Sequence, residues 1–204
     1  MLPELENKNI NVENLAERAL EDEKVITELL EAISSKNDTI RFNSHKVLLH
    51  ICKEHPETIY PKWDYLQSLL NSDNNYHKYI AINLISYLTR IDTEKKFEKI
   101  FDNFYSIIDG KGTITVALLV GNSGIIALAK PELQSKITQR LLNIDKTHRG
   151  KQIELIKGFA VEAFGEYFEE AENKKEIMEF VKKQLNSESP KTRKNAENFL
   201  KKWE

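Results

Sequence analysis

A short helical motif recurs about every 38 residues along this chain of 204 residues. Each copy starts at a small residue, and the copies lie 37, 40, 37 and 38 residues apart, at Ser44, Ala81, Gly121, Gly158 and Ala196. Apolar residues mostly follow three, four and seven positions later, which places them on one stripe of an α-helix. A fixed period of this size is typical of stacked helical repeats, in which each unit buries its apolar stripe against its neighbours.

A second apolar stretch precedes each motif, so every unit is predicted to be a pair of antiparallel helices. We expect helices near residues 23–35, 38–54, 61–71, 74–90, 93–108, 112–129, 131–143, 148–170, 173–187 and 189–203. The β-branched segment 113–116 favours a strand on propensity alone, but the period and the length of its apolar run predict a helix. We also expect the small motif residues to mark the closest approach of the paired helices.

The period predicts a single repeat domain over residues 23–204, preceded by a tail and an acidic capping helix within residues 1–22. The start of the chain is expected to be unstructured. Residues 1–32 contain nine acidic and three basic side chains, whereas residues 173–204 contain five acidic and nine basic ones. We interpret these opposite charges as the solvated ends of the stack.

The chain has a net charge of −2 and one cysteine, Cys52. This charge gives no general attraction to nucleic acid, and one cysteine excludes an intramolecular disulfide or a multi-cysteine metal site. Cys52 lies beside the apolar stripe and is expected to be a small buried hydrophobe. The chain starts without a signal-peptide pattern, and the uncharged segment 112–129 contains polar residues and three glycines. We therefore expect a cytoplasmic protein without a membrane span.

Three of the five units carry an acidic residue in the turn and a basic residue shortly after it: Asp38 with Arg41, Asp73 with Lys78, and Glu188 with Arg193. The other two units have Leu118 and Leu155 at the basic position. With this signature, residues 24–203 resemble the HEAT and armadillo class of α-solenoids. The resemblance implies an all-α, right-handed superhelix of about five helix pairs. We expect Arg41 and Arg193 to bind the turns that precede them.

No motif predicts catalysis, a metal or a cofactor. The histidines are not spaced as ligands on one helix face and are interpreted as solvated side chains. Residues 110–113 read Gly-Lys-Gly-Thr, but they lack the spacer and the preceding strand of a nucleotide-binding loop and are interpreted as a flexible turn. Adjacent carboxylates such as those of Glu169 and Glu170 point to different faces of a helix, so we expect them to be solvated surface groups rather than a catalytic pair.

The candidate contact surface lies opposite the buried stripe of the second helices, which line the concave face in this class. Three bases share one register nine positions after the small residue, with polar and aromatic side chains beside them. The candidate partner-binding residues are Lys46, His50, Lys53, Asn83, Tyr87, Arg90 and Lys130. Such a row suits an acidic peptide or a nucleic-acid backbone. In the competing interpretation the bases complement helix dipoles and the aromatic rings fill space between repeats.

The sequence therefore predicts a non-enzymatic interaction or scaffold module that binds a segment of a partner protein, acidic in character, on its concave face. The alternative is a nucleic-acid-binding protein similar to the HEAT-like DNA alkylation-repair glycosylases, which use Trp, Asp and Arg on a basic concave face. Trp63 and Trp203 occupy positions that suit a structural role, which disfavours this alternative.

Overall fold

The structure is a computed structural model that describes residues 2–204. These residues form α-helices joined by short turns and contain no β-strand. The all-α class predicted from the period is therefore confirmed. The chain forms two compact units, unit 1 over residues 2–91 and unit 2 over Asp92–Glu204.

Unit 1 begins with a 3-10 turn at Pro3–Glu6 and continues with α1 (Val12–Glu21), α2 (Glu23–Ala32), α3 (Asp38–Glu54), α4 (Pro56–Ile59), α5 (Trp63–Leu69) and α6 (Asn75–Leu88). Helix α2 packs on α3, α5 packs on α6, and α3 packs along α6. Polar side chains start four of these helices by accepting hydrogen bonds from first-turn N–H groups: Asn11, Asp22, Asn37 and Asn74. These caps explain why the helices begin after polar turns.

Unit 2 contains α7 (Lys96–Ser106), α8 (Thr113–Ala129), α9 (Gln134–Leu142), α10 (Ile144–Thr147), α11 (Ile153–Tyr167), α12 (Lys174–Gln184) and α13 (Pro190–Trp203). Helix α11 packs between α8 and α13. The Tyr105 hydroxyl group bonds to Ser123, and Thr138 bonds to the Tyr167 hydroxyl group, so side chains join α7 to α8 and α9 to α11. We call α3, α6, α8, α11 and α13 the second helices of their pairs.

Helix α8 covers the segment in which a strand was the competing expectation. It runs from Thr113 to Ala129, and it buries Val116, Leu119 and Val120 among others. The helix prediction is therefore confirmed, because burial against neighbouring helices outweighs the strand preference of β-branched residues. None of the helices in residues 2–204 is both long enough and apolar enough to cross a membrane.

Hydrogen bonds join positions one repeat apart within each unit. In unit 1, Asn83 Nδ2 lies 3.1 Å from His45 Nε2, 38 residues earlier. In unit 2, the Thr192 hydroxyl group donates to the Glu154 carbonyl oxygen over 2.6 Å, again across 38 residues. The sequence period therefore corresponds to direct contacts between residues about one repeat apart in neighbouring helix pairs.

The small motif residues lie at helix contacts, but not always between paired helices. The Ser44 hydroxyl group donates to the Leu29 carbonyl oxygen on the paired helix α2, as expected. Gly158 of α11 faces Thr192 instead, since a Cβ at Gly158 would lie 2.5 Å from Thr192 Oγ1 and 3.2 Å from its Cα. The predicted position is wrong for Gly158, because the closest backbone at this point belongs to α13, the next second helix.

The segment before α1 is folded, which contradicts the expectation of an unstructured start. Leu5 of the Pro3–Glu6 turn is fully buried. Asn43 of α3 donates to the carbonyl oxygens of Leu5 and Asn7 over 2.9 and 2.8 Å. Apolar burial and an amide side chain therefore tie this segment to α3. The acidic N-terminal segment forms helix α1 over Val12–Glu21.

Two arginines at the start of second helices bind the preceding turns, as predicted. Arg41 donates to the Ser35 carbonyl oxygen over 2.8 Å, and Arg193 donates to the Ser187 carbonyl oxygen over 2.6 Å. The acceptor lies six residues before the arginine in both turns. These charge-assisted bonds satisfy backbone groups that the turn leaves unpaired. Both arginines therefore have a structural role.

Candidate binding face on the second helices of unit 1

The structure places the predicted site residues at different depths. Five of them lie at or near the surface of unit 1: Lys46, His50, Lys53, Tyr87 and Arg90. The other two, Asn83 of unit 1 and Lys130 of unit 2, are buried. The predicted set therefore does not form one exposed row.

Lys130 belongs to the interior of unit 2. Its side chain is 6% exposed, and its Nζ lies 3.0 Å from Asp92 Oδ2 and 3.3 Å from Glu98 Oε2. Nζ also donates to the Asp92 carbonyl oxygen over 2.7 Å. A buried cation needs such compensation, because removal from water is costly for a charge. Lys130 is therefore not available to a partner, contrary to its predicted place in an exposed strip.

Asn83 lies in a polar layer between α3 and α6. It bonds to His45, whose ring meets Tyr79 edge to face at a centroid distance of 5.7 Å. Burial lowers the pKa of His45 to about 4, so its ring is neutral at neutral pH. The interpretation of the histidines as solvated is wrong for His45, because the packing of α3 on α6 encloses it. Asn83 is thus a buried structural residue beneath the surface and does not contact a partner itself.

Arg90 secures the end of α3. Its Nη2 donates to the carbonyl oxygens of Cys52 and Lys53 over 2.9 and 2.6 Å. The last carbonyl groups of a helix lack donors within the helix and carry partial negative charge. The competing interpretation, in which the bases complement helix ends, therefore describes Arg90. Arg90 is also exposed and adds positive charge to the surface.

Lys46, Lys53 and Arg90 of the predicted set lie against aromatic rings. Lys53 Nζ and Arg90 Cζ are 5.1 and 5.4 Å from the centroid of the Tyr87 ring. Lys46 Nζ is 4.4 Å from the centroid of the Phe42 ring. Cation–π contacts of this kind hold flexible basic side chains in place. Less side-chain entropy is then lost when a partner binds.

Phe42 and Tyr76 enlarge this surface and were not among the predicted residues. Each is 57% exposed, and Arg41 Cζ lies 4.1 Å from the centroid of the Tyr76 ring. The prediction considered only positions that follow the small residue of each motif, whereas these aromatics precede Ser44 and Ala81. Helical periodicity applied in the upstream direction places both rings opposite the buried stripe.

We define the α3–α6 face by seven residues: Phe42, Lys46, His50, Lys53, Tyr76, Tyr87 and Arg90. The segments that supply it, residues 39–53 and 74–91, contain five Lys and Arg residues and no Asp or Glu. Residues 1–91 as a whole contain ten Lys and Arg but fourteen Asp and Glu, a net charge of −4. The α3–α6 face is therefore a local basic and aromatic surface on an acidic unit.

Cys52 lies below this face and is fully buried, as expected. Burial raises the pKa of its thiol, and a protonated thiol is a poor nucleophile. Within residues 2–204, no three His, Cys, Asp or Glu side chains are grouped so that they could hold a metal ion.

No known protein family, curated protein or solved structure matches this chain significantly. Function is therefore inferred from the residues of the α3–α6 face and their surroundings.

Proposed function

We propose that this protein is a non-enzymatic interaction module that binds an acidic segment of a partner protein on the α3–α6 face. One observation carries the proposal: segments 39–53 and 74–91, which supply the α3–α6 face, contain five Lys and Arg residues and exposed aromatic rings but no Asp or Glu. Carboxylates of a partner meet the cations of these segments without repulsion from an acidic residue within the segments. Complementary charge of this kind guides encounter and selects the partner.

The aromatic rings supply the apolar contact area of this interaction. Phe42 and Tyr76 expose most of their rings, and rigid aromatic side chains often carry most of the binding energy of an interface. The Tyr87 ring holds Lys53 and Arg90 near each other, where both reach the same acidic segment. Charges then set the association rate and its salt dependence, while the rings determine affinity.

A short acidic peptide suits this surface better than a nucleic acid does. Nucleic-acid affinity arises when many phosphates along a backbone are neutralised together. The net charge of −4 over residues 1–91 opposes a long phosphate backbone beyond the face, whereas a short peptide contacts the face alone. The alternative related to DNA glycosylases is further disfavoured by the full burial of Trp63.

We propose further that the helix pairs are HEAT-like repeats arranged in a right-handed superhelix. The sequence period, the turn-binding Arg41 and Arg193, and the bonds that join residues 38 apart support this assignment. A single repeat domain over residues 23–204 and a cytoplasmic location are proposed from the sequence.

Fluorescence anisotropy with a labelled peptide of Glu, Leu and Ser tests the binding proposal. A peptide with Gln in place of Glu, single-stranded DNA and duplex DNA are the comparison ligands at equal ionic strength. We expect the acidic peptide to bind most tightly. The double variant Lys46→Glu/Lys53→Glu should weaken its binding about tenfold or more, because attraction becomes repulsion at two positions.

The matched control is Lys175→Glu/Lys183→Glu, which changes the net charge equally at two exposed lysines of α12. This control should bind the acidic peptide as the unmodified protein does. Phe42→Ala should weaken binding without changing its salt dependence. Equal loss in both double variants would show that only net charge matters and would overturn the proposal. Tighter binding of DNA would favour the nucleic-acid alternative.

A further inference from the structure

Helix α8 carries an apolar stripe on its outward side, which we call the α8 stripe. Its five positions are Ile114, Leu118, Gly121, Ile125 and Leu128. Ile114 and Leu128 are 75% and 44% exposed, and the other three residues are half-buried. The positions are separated alternately by four and three residues, which is the spacing of a seam between two packed helices. Helix α8 contains no charged residue that would oppose such packing.

Part of this stripe is buried in the equivalent helices of unit 1. The residues at the repeat positions of Ile125 and Leu128 are fully buried in α3 and α6: Leu48, Ile51, Ile85 and Leu88. The expectation that every unit buries its motif stripe is wrong for α8. The reason is that the opposite side of α8 faces the interior of unit 2, where Ser123 bonds to Tyr105 of α7. A contiguous exposed apolar stripe marks an interaction surface.

Helix α11 lies beside α8 and runs in the same direction. A Cβ at Gly121 would lie 3.6 Å from Phe159 Cδ1, and a Cβ at Gly124 would lie 3.0 Å from the Ala163 carbonyl oxygen. Later residues of α8 therefore lie beside later residues of α11. The neighbours Gly121 and Phe159 are 38 residues apart, so the two helices are aligned by one repeat.

The two ends of this helix pair carry opposite charge. At the start, residues 110–112 meet residues 148–152, because the Arg149 N–H group donates to the Gly110 carbonyl oxygen over 3.3 Å. His148 of this turn is 8% exposed, so the interpretation of the histidines as solvated is wrong for it too. Three exposed cations lie in the two turns: Lys111, Arg149 and Lys151. At the other end, residues 162–172 contain five Glu and no Lys or Arg.

We propose that the α8 stripe is an interface between two copies of this chain, with the two α8 helices antiparallel and a twofold axis at Gly121. The stripe is nearly palindromic about this glycine, since Ile114 lies seven residues before it and Leu128 seven residues after it. The axis therefore sets Ile114 of one copy against Leu128 of the other, and Leu118 against Ile125. Glycine at the crossing point lets the two helix axes approach closely.

The charges beside the stripe match in the same arrangement, which favours a second copy as the occupant. Lys151 lies eight residues before Phe159, and Glu166 lies seven residues after it. Because Phe159 is next to Gly121, the axis that pairs the stripes also brings Glu166 of one copy near Lys151 of the other. A parallel arrangement would instead set residues 162–172 of both copies together, and their Glu side chains would repel each other. Complementary charge of this kind fixes the register of an interface.

Sedimentation equilibrium over a range of micromolar concentrations tests the pairing. We expect a reversible dimer with twice the chain mass of 23.7 kDa. Ile114→Glu/Leu128→Glu should weaken self-association about tenfold or more, because the axis sets two carboxylates against each other at both contacts. The matched control is Leu20→Glu/Leu185→Glu, which changes two leucines of similar exposure, 39% and 38%, outside the stripe. This control should form the dimer as the unmodified protein does.

A charge exchange tests the antiparallel register. Lys151→Glu and Glu166→Lys should each weaken the dimer, since each sets like charges together. The double variant Lys151→Glu/Glu166→Lys should restore the dimer, because the pair is then reversed but still complementary. All these positions are exposed, and circular dichroism confirms that the variants fold. The dimer concerns unit 2 alone and is independent of the α3–α6 face.

Disulfide formation tests the position of the axis. Gly121→Cys should give a covalent dimer on mild oxidation, because the axis brings residue 121 of both copies within the Cα–Cα reach of a disulfide, about 4.4–6.8 Å. Ile114→Cys should not link to itself, whereas a mixture of Ile114→Cys and Leu128→Cys should link. Cys52 is buried and does not interfere. A monomer at every concentration, as expected if another protein covers the stripe, would overturn the inference. Linkage of Ile114→Cys to itself as efficient as that of Gly121→Cys would also overturn it.

Discussion

Lys130 Nζ donates a hydrogen bond to the carbonyl oxygen of Asp92, which lies 38 residues earlier, over 2.7 Å. Arg90 makes the corresponding bond in unit 1, to the Cys52 carbonyl oxygen 38 residues before it. Both cations follow the second helix of their pair. At these two positions, the basic row that predicts a partner-binding strip instead bonds to backbone within its own unit: Arg90 to the end of α3, and Lys130 to the residue Asp92 before α7.

Removal of the Lys130 charge should destabilise the protein strongly. Lys130→Ala leaves the buried Asp92 carboxylate and Glu98 without their cation, at an expected cost of about 3–5 kcal/mol in the free energy of unfolding. Lys53 occupies the same repeat position as Lys130 but is exposed. Lys53→Ala should therefore change the free energy of unfolding by about 0.5 kcal/mol or less. Urea denaturation measures both values. Similar effects of the two substitutions would show that Lys130 is not structural.

Substitution of two glycines of α11 by alanine should change the stability of the protein in opposite directions. A Cβ at Gly158 would meet Thr192 at 2.5 Å for Oγ1 and 3.2 Å for Cα, so Gly158→Ala should destabilise by about 1–3 kcal/mol. A Cβ at Gly165 would lie 3.8 Å from the Phe199 ring, an ordinary contact. Gly165→Ala should therefore stabilise by about 0.5–1 kcal/mol through helix propensity. Thermal or urea unfolding that shifts both variants in the same direction would refute this packing of α11 on α13.

His45 should make stability depend on pH under mildly acidic conditions. Burial lowers its pKa to about 4 in the folded state, whereas an unfolded chain has a histidine pKa of about 6.5. Between these values the unfolded state binds a proton that the folded state does not. The free energy of unfolding should thus fall as pH decreases from about 6.5 to about 4, by on the order of 3 kcal/mol in total.

Urea unfolding of the unmodified protein and of His45→Gln, measured at several pH values, isolates this contribution. The difference between the two proteins should be constant above about pH 6.5 and should change steadily below it. A difference that stays constant down to about pH 4 would mean that His45 does not titrate as its burial implies.

Cys52 should resist thiol reagents in the folded protein. It is fully buried, and burial raises the pKa of its thiol, so both access and nucleophilicity are low. Labelling by a chromogenic disulfide reagent should become rapid only when urea unfolds unit 1. Fast labelling without denaturant would contradict the close packing of α3 at this position.

The helices could be predicted from the sequence because each apolar stripe and each polar turn is a local signal. Helix α8 was predicted even though its first residues favour strands, since the repeat period decided the assignment. The burial of the Lys130 side chain could not be predicted from such local signals. It depends on Asp92 and Glu98, carboxylates far away in the sequence that only the folded chain brings to it. Lys53, in the same register, has no such neighbours and stays exposed.

The candidate face was predicted only in part for a related reason. Periodicity gives the direction of a side chain but not its neighbours. The bond from Asn83 to His45 and the contact of Lys46 with Phe42 both require the folded arrangement of side chains. The lack of acidic residues in segments 39–53 and 74–91, in contrast, can be read directly from the sequence.

Backbone amide NMR during titration with the acidic Glu, Leu and Ser peptide tests the central claim most directly, because it reports where the peptide binds. We expect the largest changes in chemical shift at residues 39–53 and 74–91, the segments of the α3–α6 face. Amides of α12, which carries the control lysines, should keep their shifts. Saturable changes confined to the α3–α6 face would agree with the proposed binding site. Changes concentrated in unit 2, or none in residues 39–53 and 74–91, would contradict it.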